Sequence, residues 1–323
     1  MDAEIANTPD LLSLSEADMW QKKAELCTLL YNKGLEYPAW GEERANWWYK
    51  SLVFFVEEFI CPKLPIPDFH RDWYKWIVRE QNYMNLAPRD HAKTSVHTVY
   101  RTIWEICVNR DIRYFLVFAT QNLGRLALSE IKSHLTQNER IRAGFGIFNP
   151  MELPPEQRRV DPNWSQDSIT VNRPDYSLKD PTVTTASAAT HVLSRRADRL
   201  IADDMVTDRI AYSQADSTRL ERWWASDVQP VLVADGQEII TGTMYRVGDF
   251  YHSIMAKSVD EGGMYRVFIG DAIVDEVAEK VLWPERWSWE NLLKQRRKLG
   301  AVLFNRNYRN RLIDDSTSLF PML

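Results

Sequence analysis

Cysteine is scarce in this sequence: three residues in 323, Cys27, Cys61 and Cys107. They lie far apart in apolar surroundings and form no Cys-x-x-Cys pair. That excludes a disulfide framework or a zinc ribbon and leaves buried reduced thiols. No apolar run approaches the ~20 residues that a membrane-spanning helix needs. The first residues, Met-Asp-Ala-Glu, lack the basic-then-apolar pattern of a secretory leader, so a soluble cytosolic chain with no membrane partner is expected. A basic excess is missing too. The net charge is −5, so any contact with nucleic acid must come from local patches. There is no internal repeat and no low-complexity tract. What the chain does have is a 45% apolar fraction and 13 Trp residues. These suffice for one large α/β domain with helical additions, or for two compact units.

Residues 1–60 read as a helical segment. Ser15 is the expected N-cap ahead of Glu16, Leu14, Met19, Leu26 and Leu30 recur at helical spacing, and a Trp- and Phe-rich stretch follows from Trp47 to Ile60. Pro62 to Pro67 is a connector, and helical spacing resumes from Phe69 to Val78. From Tyr83 the pattern becomes short strands alternating with helices. Arg113 to Ala119, Ser168 to Val171 and Leu200 to Ala202 read as strands, Leu123 to Leu135 as a helix, and Phe148 to Asp167 as a surface excursion. Val231 to Ala234 and Glu238 to Thr241 suit a hairpin around Asp235-Gly236. Strands separated by helices imply a mostly parallel sheet with helices on both faces.

Residues 83–95 read Tyr-Met-Asn-Leu-Ala-Pro-Arg-Asp-His-Ala-Lys-Thr-Ser. This is a phosphate-binding loop with alanine, Ala87 and Ala92, at its two glycine positions. An apolar strand precedes it and a helix-compatible run, Thr94 to Val108, follows. Pro88, Arg89, Asp90, His91, Ala92 and Ser95 would wrap the phosphates through backbone N–H groups. Lys93 would reach the β/γ oxygens and Thr94 would bind Mg²⁺. Such a loop needs a metal-organising carboxylate at the end of another strand. Arg199-Leu200-Ile201-Ala202-Asp203-Asp204 supplies one, with Asp203 as the Mg²⁺ carboxylate and Asp204 placed to orient or deprotonate water. The competing reading makes the paired acids the cap of a helix beginning near Thr207. Thr241-Gly242-Thr243, at a further strand end, can sense the γ-phosphate or can be a plain turn. Taken in order, the three segments have the layout of an ATPase with an added strand beside the P-loop strand.

The segments Ala-Pro-Arg-Asp-His-Ala-Lys-Thr, Arg-Arg-Ala-Asp-Arg-Leu-Ile-Ala-Asp-Asp, Thr-Gly-Thr-Met-Tyr and Leu-Trp-Pro-Glu-Arg-Trp together resemble the large terminase subunit of tailed bacteriophages, from about Phe69 to Asn310. The resemblance implies an α/β P-loop NTPase fold of the additional-strand type, with residues 61–270 as the ATPase core and 271–323 as a lid subdomain. It implies a motor in the host cytoplasm that uses ATP and Mg²⁺ to drive double-stranded DNA into a procapsid. The portal protein, the small terminase subunit and ring neighbours would be its partners. Asp204 takes the place of a catalytic acid that is commonly Glu. Thr241 to Thr243 take the place of the coupling motif. Arg89 would touch the γ-phosphate from within the subunit, and Arg196, with Arg195 as competitor, from a ring neighbour. For Arg195, Arg196 and Arg199 a solvated strand edge is the alternative. Phe69, His70 and Trp73 would pack near the adenine or simply in the core. Lys294, Arg296, Arg297, Arg306 and Arg309 are the DNA-contact candidates, against a helix's solvated face. The family's nuclease domain is expected to lie outside this chain, Asp314 and Asp315 coming too early to be its active site.

Overall fold

In a computed structural model, residues 15–61, 63–188, 192, 195–260 and 263–312 are described. Leu14, Asp314 and Asp315 lie outside them. Ser15 caps the first helix, α1 (Glu16–Leu35), its hydroxyl accepting from the Asp18 N–H. The buried face is Trp20, Ala24, Cys27 and Tyr31, one helical stripe, while Leu26 is exposed. The expected spacing therefore marked the flank of the buried face: Met19 packs against the core and Leu30 is half-buried, while the aromatic residues, with more area to bury, take the centre. α2 (Glu42–Phe55) and α3 (Asp68–Arg79) complete a helical layer. Trp48 stacks on Tyr31 at 5.0 Å and meets Trp104 edge-on. Much of the tryptophan content is spent in this seam.

The central sheet has eight strands in the order β3-β4-β5-β2-β6-β7-β1-β8. These are β1 (Asn82–Leu86), β2 (Tyr114–Phe118), β3 (Asn163–Trp164), β4 (Ser168–Thr170), β5 (Val183–Ser187), β6 (Ala197–Asp203), β7 (Leu232–Gly242) and β8 (Arg266–Ile269). From β5 to β8 all pairings are parallel; the β3–β4 and β4–β5 pairings are antiparallel, so the strand expected at Ser168 to Val171 is a reversed strand inside the edge strand β3 and not a parallel one. β7 lies between β1 and β6, which is the added strand beside the P-loop strand. The expected hairpin around Asp235-Gly236 does not form. β7 is one strand held on both sides, and its register against β6 jumps from Ala197–Leu232 to Arg199–Gln237, so residues 233–236 bulge. With a parallel neighbour on each flank, the chain has no free edge on which to fold back.

The faces are covered by α3, α4 (Arg101–Val108), α5 (Gln121–Gln137), α6 (Glu139–Phe145), α7 (Asp208–Tyr212), α8 (Gln214–Trp223) and α9 (Phe250–Asp260). α4 is preceded by a π-helical turn, Thr94–Tyr100, directly after the phosphate loop. Such widened turns recur at functional sites. The remaining segment has its own small core of Ala272, Ile273, Val281, Leu292, Phe304 and Tyr308. It is built from β9 (Ile273–Asp275), β10 (Lys280–Val281), α10 (Trp289–Leu299) and α11 (Ala301–Arg309). Among the described residues no helix is long and apolar enough to cross a membrane.

Candidate nucleotide site

The parallel arrangement brings the carboxyl ends of β1, β6 and β7 side by side, where ligands bind in sheets of this kind. Leu86, Asp203 and Gly242 are register partners or near neighbours across those strands. The three motifs, far apart in the chain, thereby share one rim. A cleft of about 550 Å³ opens there, lined by Arg89, Asp90, Ala92, Lys93, Thr94 and Ser95 of the loop, by Asp204, and by Tyr245 and Tyr308.

The loop turns tightly despite its missing glycines. Asp90 and Ala92 adopt left-handed backbone, φ 63° and 61°. Ala92 thus occupies a conformation that glycine takes without strain. Lys93 is buried, and its ammonium donates to the carbonyls of Ala87 (3.0 Å) and Pro88 (3.3 Å) and to Thr243 Oγ1 (3.1 Å). The lysine is held by its own loop and by the end of β7, facing the cleft.

Behind the loop sit Phe69 and His70, packed with Trp73, His91 and Trp283. His70 Nε2 contacts the His91 carbonyl at 3.0 Å. Neither Phe69 nor His70 lines the cleft; both support the loop from the core side, and the adenine expectation for them gives way to packing. Burial pushes His70 and His91 down to about 4, so neither carries charge beside the phosphates at neutral pH.

Asp203 is 1% exposed at the end of β6. Its Oδ2 accepts from Thr98 Oγ1 at 2.7 Å, whereas Oδ1 is buried with no partner among the described residues. Burial, with the adjacent Asp204 charge, pushes the carboxyl up to about 7. The Thr98 and Thr94 hydroxyls and Lys93 pull the other way. A buried carboxylate oxygen left without a donor, beside Thr94, fits a divalent cation. Among the described residues no cluster of three or more His, Cys, Asp or Glu forms a metal cage. That suits Mg²⁺, which is held by one or two protein groups together with substrate phosphates. Asp204 is exposed at the cleft wall in left-handed backbone, φ 45°. It does not cap the following helix; Thr207 does, accepting from the Ile210 N–H at 3.4 Å. The capping reading of the acid pair is therefore replaced.

Thr241, Gly242 and Thr243 tie the strand ends together. Thr241 O accepts from the Asp204 N–H, and Gly242 O from the Ala87 N–H. A Cβ at Gly242 would lie 2.2 Å from the Tyr251 hydroxyl, which accepts from the Met205 N–H. Glycine is required there by this side-chain approach.

Arg89 reaches across the cleft and donates to Tyr245 Oη at 2.7 Å. The lid segment also grips the loop: Arg89 N–H donates to Asn307 O, and Asn310 Nδ2 donates to the carbonyls of Leu86 and Gly270. Arg306 pairs with Asp208 at 2.8 Å and lies over the Tyr245 ring, while Arg309 is buried against Asp271 and Glu276. Arg306 thus ties the lid to the core and Arg309 is paired inside the lid, so neither is a free cation. Lys294, Arg296 and Arg297 are not buried on α10.

Arg195 and Arg196 are exposed just before β6, whereas Asp203 ends it. At about 3.3 Å per residue they are roughly 25 Å from the cleft of their own subunit. Arg199 departs from the solvated-edge expectation: it is buried and paired with Glu105 at 2.6 Å. Sequence reasoning missed Thr98, Tyr245 and Tyr308. Thr98 falls one helical turn after Thr94, and Tyr245 lies two residues beyond Thr-Gly-Thr, so both lay within reach of the motifs; for Tyr308 the signal was its place in the Phe304 to Tyr308 stretch that carries part of the family resemblance.

Strand order, loop and site define a P-loop NTPase fold of the additional-strand type. The sequence matches no protein-family model and no curated protein. Among solved structures, the HK97 bacteriophage large terminase is similar at 13% identity and a TM-score of 0.54, over 82% of this chain and 55% of that one. The large terminase ATPase domain of Thermus phage P74-26 is similar at 15% identity and a TM-score of 0.45, over 73% of this chain and 91% of that one. A large terminase from a thermophilic bacteriophage is similar at 9% identity and a TM-score of 0.45, over 82% of this chain and 53% of that one. The chain therefore shares its fold with part of the HK97 large terminase, and it spans about half the length of that protein.

Proposed function

We propose that this chain hydrolyses ATP as the motor domain of a DNA-packaging terminase. The observation that carries the reading is the convergence of Lys93, Asp203, Asp204 and Thr243 on one rim of the sheet, with a buried Asp203 oxygen lacking a donor. In this reading Lys93 and the loop N–H groups bind the phosphates, and Asp203 with Thr94 holds Mg²⁺, which neutralises phosphate charge. Asp204 orients the attacking water. Its side chain is one methylene shorter than Glu, and the left-handed backbone at Asp204 sets it against the cleft wall. Arg89 stands where developing γ-phosphate charge would be met from within the subunit. Arg196, with Arg195 as competitor, would serve a neighbour's site in a ring. Double-stranded DNA, the portal protein, the small terminase subunit and further copies of the chain are its proposed partners, and the host cytoplasm its place of action.

One observation favours a second reading, a nucleotide-dependent docking module. Lys93 is already satisfied by loop carbonyls, so nucleotide must displace those bonds. Steady-state ATP hydrolysis with Mg²⁺, wild type against Lys93→Ala across a wide protein concentration range, separates the two. Turnover that needs Lys93 and rises per subunit with concentration establishes the motor; nucleotide binding with no turnover at any concentration establishes the docking module.

A further inference from the structure

At the opposite ends of the strands from the nucleotide cleft, a second and larger cavity of about 810 Å³ opens between the segment after β2's helices and the start of β6. Its walls carry Arg158, Arg159, Arg173, Lys179 and Arg195 against a single carboxylate, Asp161. In a chain with a net charge of −5 this is a local reversal of sign. Arg158 and Arg159 also line an adjoining cavity of about 540 Å³, with Arg110 and one carboxylate, Glu156, so the arginine pair borders both cavities.

Arg173 is the informative residue. It lines the cavity, yet it is only 2% exposed, and its Nε and Nη1 have no hydrogen-bond partner among the described residues. Only Nη2 is engaged, donating to the Leu178 carbonyl. The acids whose charge it feels are occupied elsewhere: Asp111 accepts from the Asp175 N–H, Asp175 from Ser177, and Asp180 from the Arg196 N–H. A guanidinium stripped of water with two donors unmet is costly to hold. Its planar fork matches a phosphate. Tyr176, 84% exposed, lines the same cavity. A basic patch gathered on one cavity wall is the electrostatic footprint of a phosphodiester chain.

We infer that this cavity binds the phosphodiester backbone of a nucleic acid, with Arg173 on one phosphate at its floor and Arg159, Lys179 and Arg195 on successive phosphates along its rim. The inference rests on the translocase reading and deepens it by naming where the polymer is held. It also turns Arg195 away from a neighbour's nucleotide and leaves that role to Arg196. Because backbone contacts carry no sequence information, the cavity grips any sequence equally.

The test is made without nucleotide, so that its failure is distinct from a failure of ATP hydrolysis. Binding of a labelled duplex of about 30 base pairs is followed by fluorescence anisotropy from roughly 50 to 200 mM salt. Wild type is compared with Arg159→Ala/Lys179→Ala, which alters side chains at the rim, and with Arg173→Met. The double variant should make the log–log salt slope shallower by about 2, one step for each lost phosphate contact. Arg173→Met should weaken binding while the chain still melts cooperatively. An unchanged slope and affinity in the double variant would overturn the inference. So would a thermal stabilisation by inorganic phosphate that needs Arg173 in a protein whose DNA binding ignores all three residues, since the cavity would then serve a free anion.

Discussion

Lys93 and Thr243 are joined across the rim of the sheet: the ammonium donates to Thr243 Oγ1 at 3.1 Å. The bond links the phosphate loop after β1 to the strand inserted beside it. Displacing Lys93 toward a phosphate would remove this bond and leave the end of β7 tied to the loop through Gly242 O and the Ala87 N–H.

Thr243→Val keeps the side-chain volume and removes the acceptor. A charged hydrogen bond of this kind contributes ~1.5–3 kcal/mol. If it acts during turnover, kcat should fall by about tenfold or more, with nucleotide affinity changed much less. Equal losses in kcat and affinity, read from steady-state kinetics and nucleotide titration, would make Thr243 an ordinary binding residue.

Gly242→Ala places a methyl group 2.2 Å from the Tyr251 hydroxyl, which holds the Met205 N–H two residues beyond Asp203. Overpacking should cost ~1–3 kcal/mol and displace the segment that carries Asp204. A urea midpoint equal to wild type would show that Tyr251 moves aside freely.

Asp203→Asn should inactivate and stabilise at once. The folded carboxyl is raised from 3.8 to about 7. In the metal-free chain the native state therefore binds the proton more tightly than the unfolded one, and stability falls as pH rises from about 4 to about 7. Removing the charge should raise the melting temperature at pH ~7.5 and flatten that slope. A lower melting temperature there would mean that Asp203 is structural and not a metal site.

Glu105 behaves in the opposite sense. Burial alone would raise it, but the Arg101 and Arg199 guanidiniums, at 2.7 and 2.6 Å, and the Tyr114 hydroxyl bring it down to about 2. Its contribution is present above about pH 4.5 and is lost as pH falls toward 2. Glu105→Gln should cost ~3–5 kcal/mol at neutral pH, because two buried cations lose their partner, and should remove part of the acid limb of unfolding. Melting curves from acid to neutral pH test both.

Arg196→Ala should abolish turnover only where subunits meet, and mixing it with Asp204→Asn should restore activity through heterologous sites. A mixture that stays inactive at every ratio removes the assignment in trans.

Sequence patterning already carried the phosphate loop, the strand-end acids, the alternation of strands and helices and the aromatic support around Trp73, because each rests on neighbouring residues or a short period. The expected hairpin at Asp235-Gly236 failed for a reason no local pattern contains: β7 has parallel neighbours on both sides. Likewise the run Arg306 to Arg309 looks like a basic face until Arg306 meets Asp208 of the core and Arg309 is buried against Asp271 and Glu276 within the lid. Arg199 looks solvated until Glu105, from a distant helix, is packed against it.

The sequence alone therefore determined which candidate groups are present, since a loop and an acid pair are specified by residue type and spacing over a few positions. Only the tertiary structure decided which charges are free to act. Burial and pairing are set by segments far apart in the chain, which brought Lys93 to Thr243, satisfied Arg309, and left the Arg173 guanidinium with donors unmet.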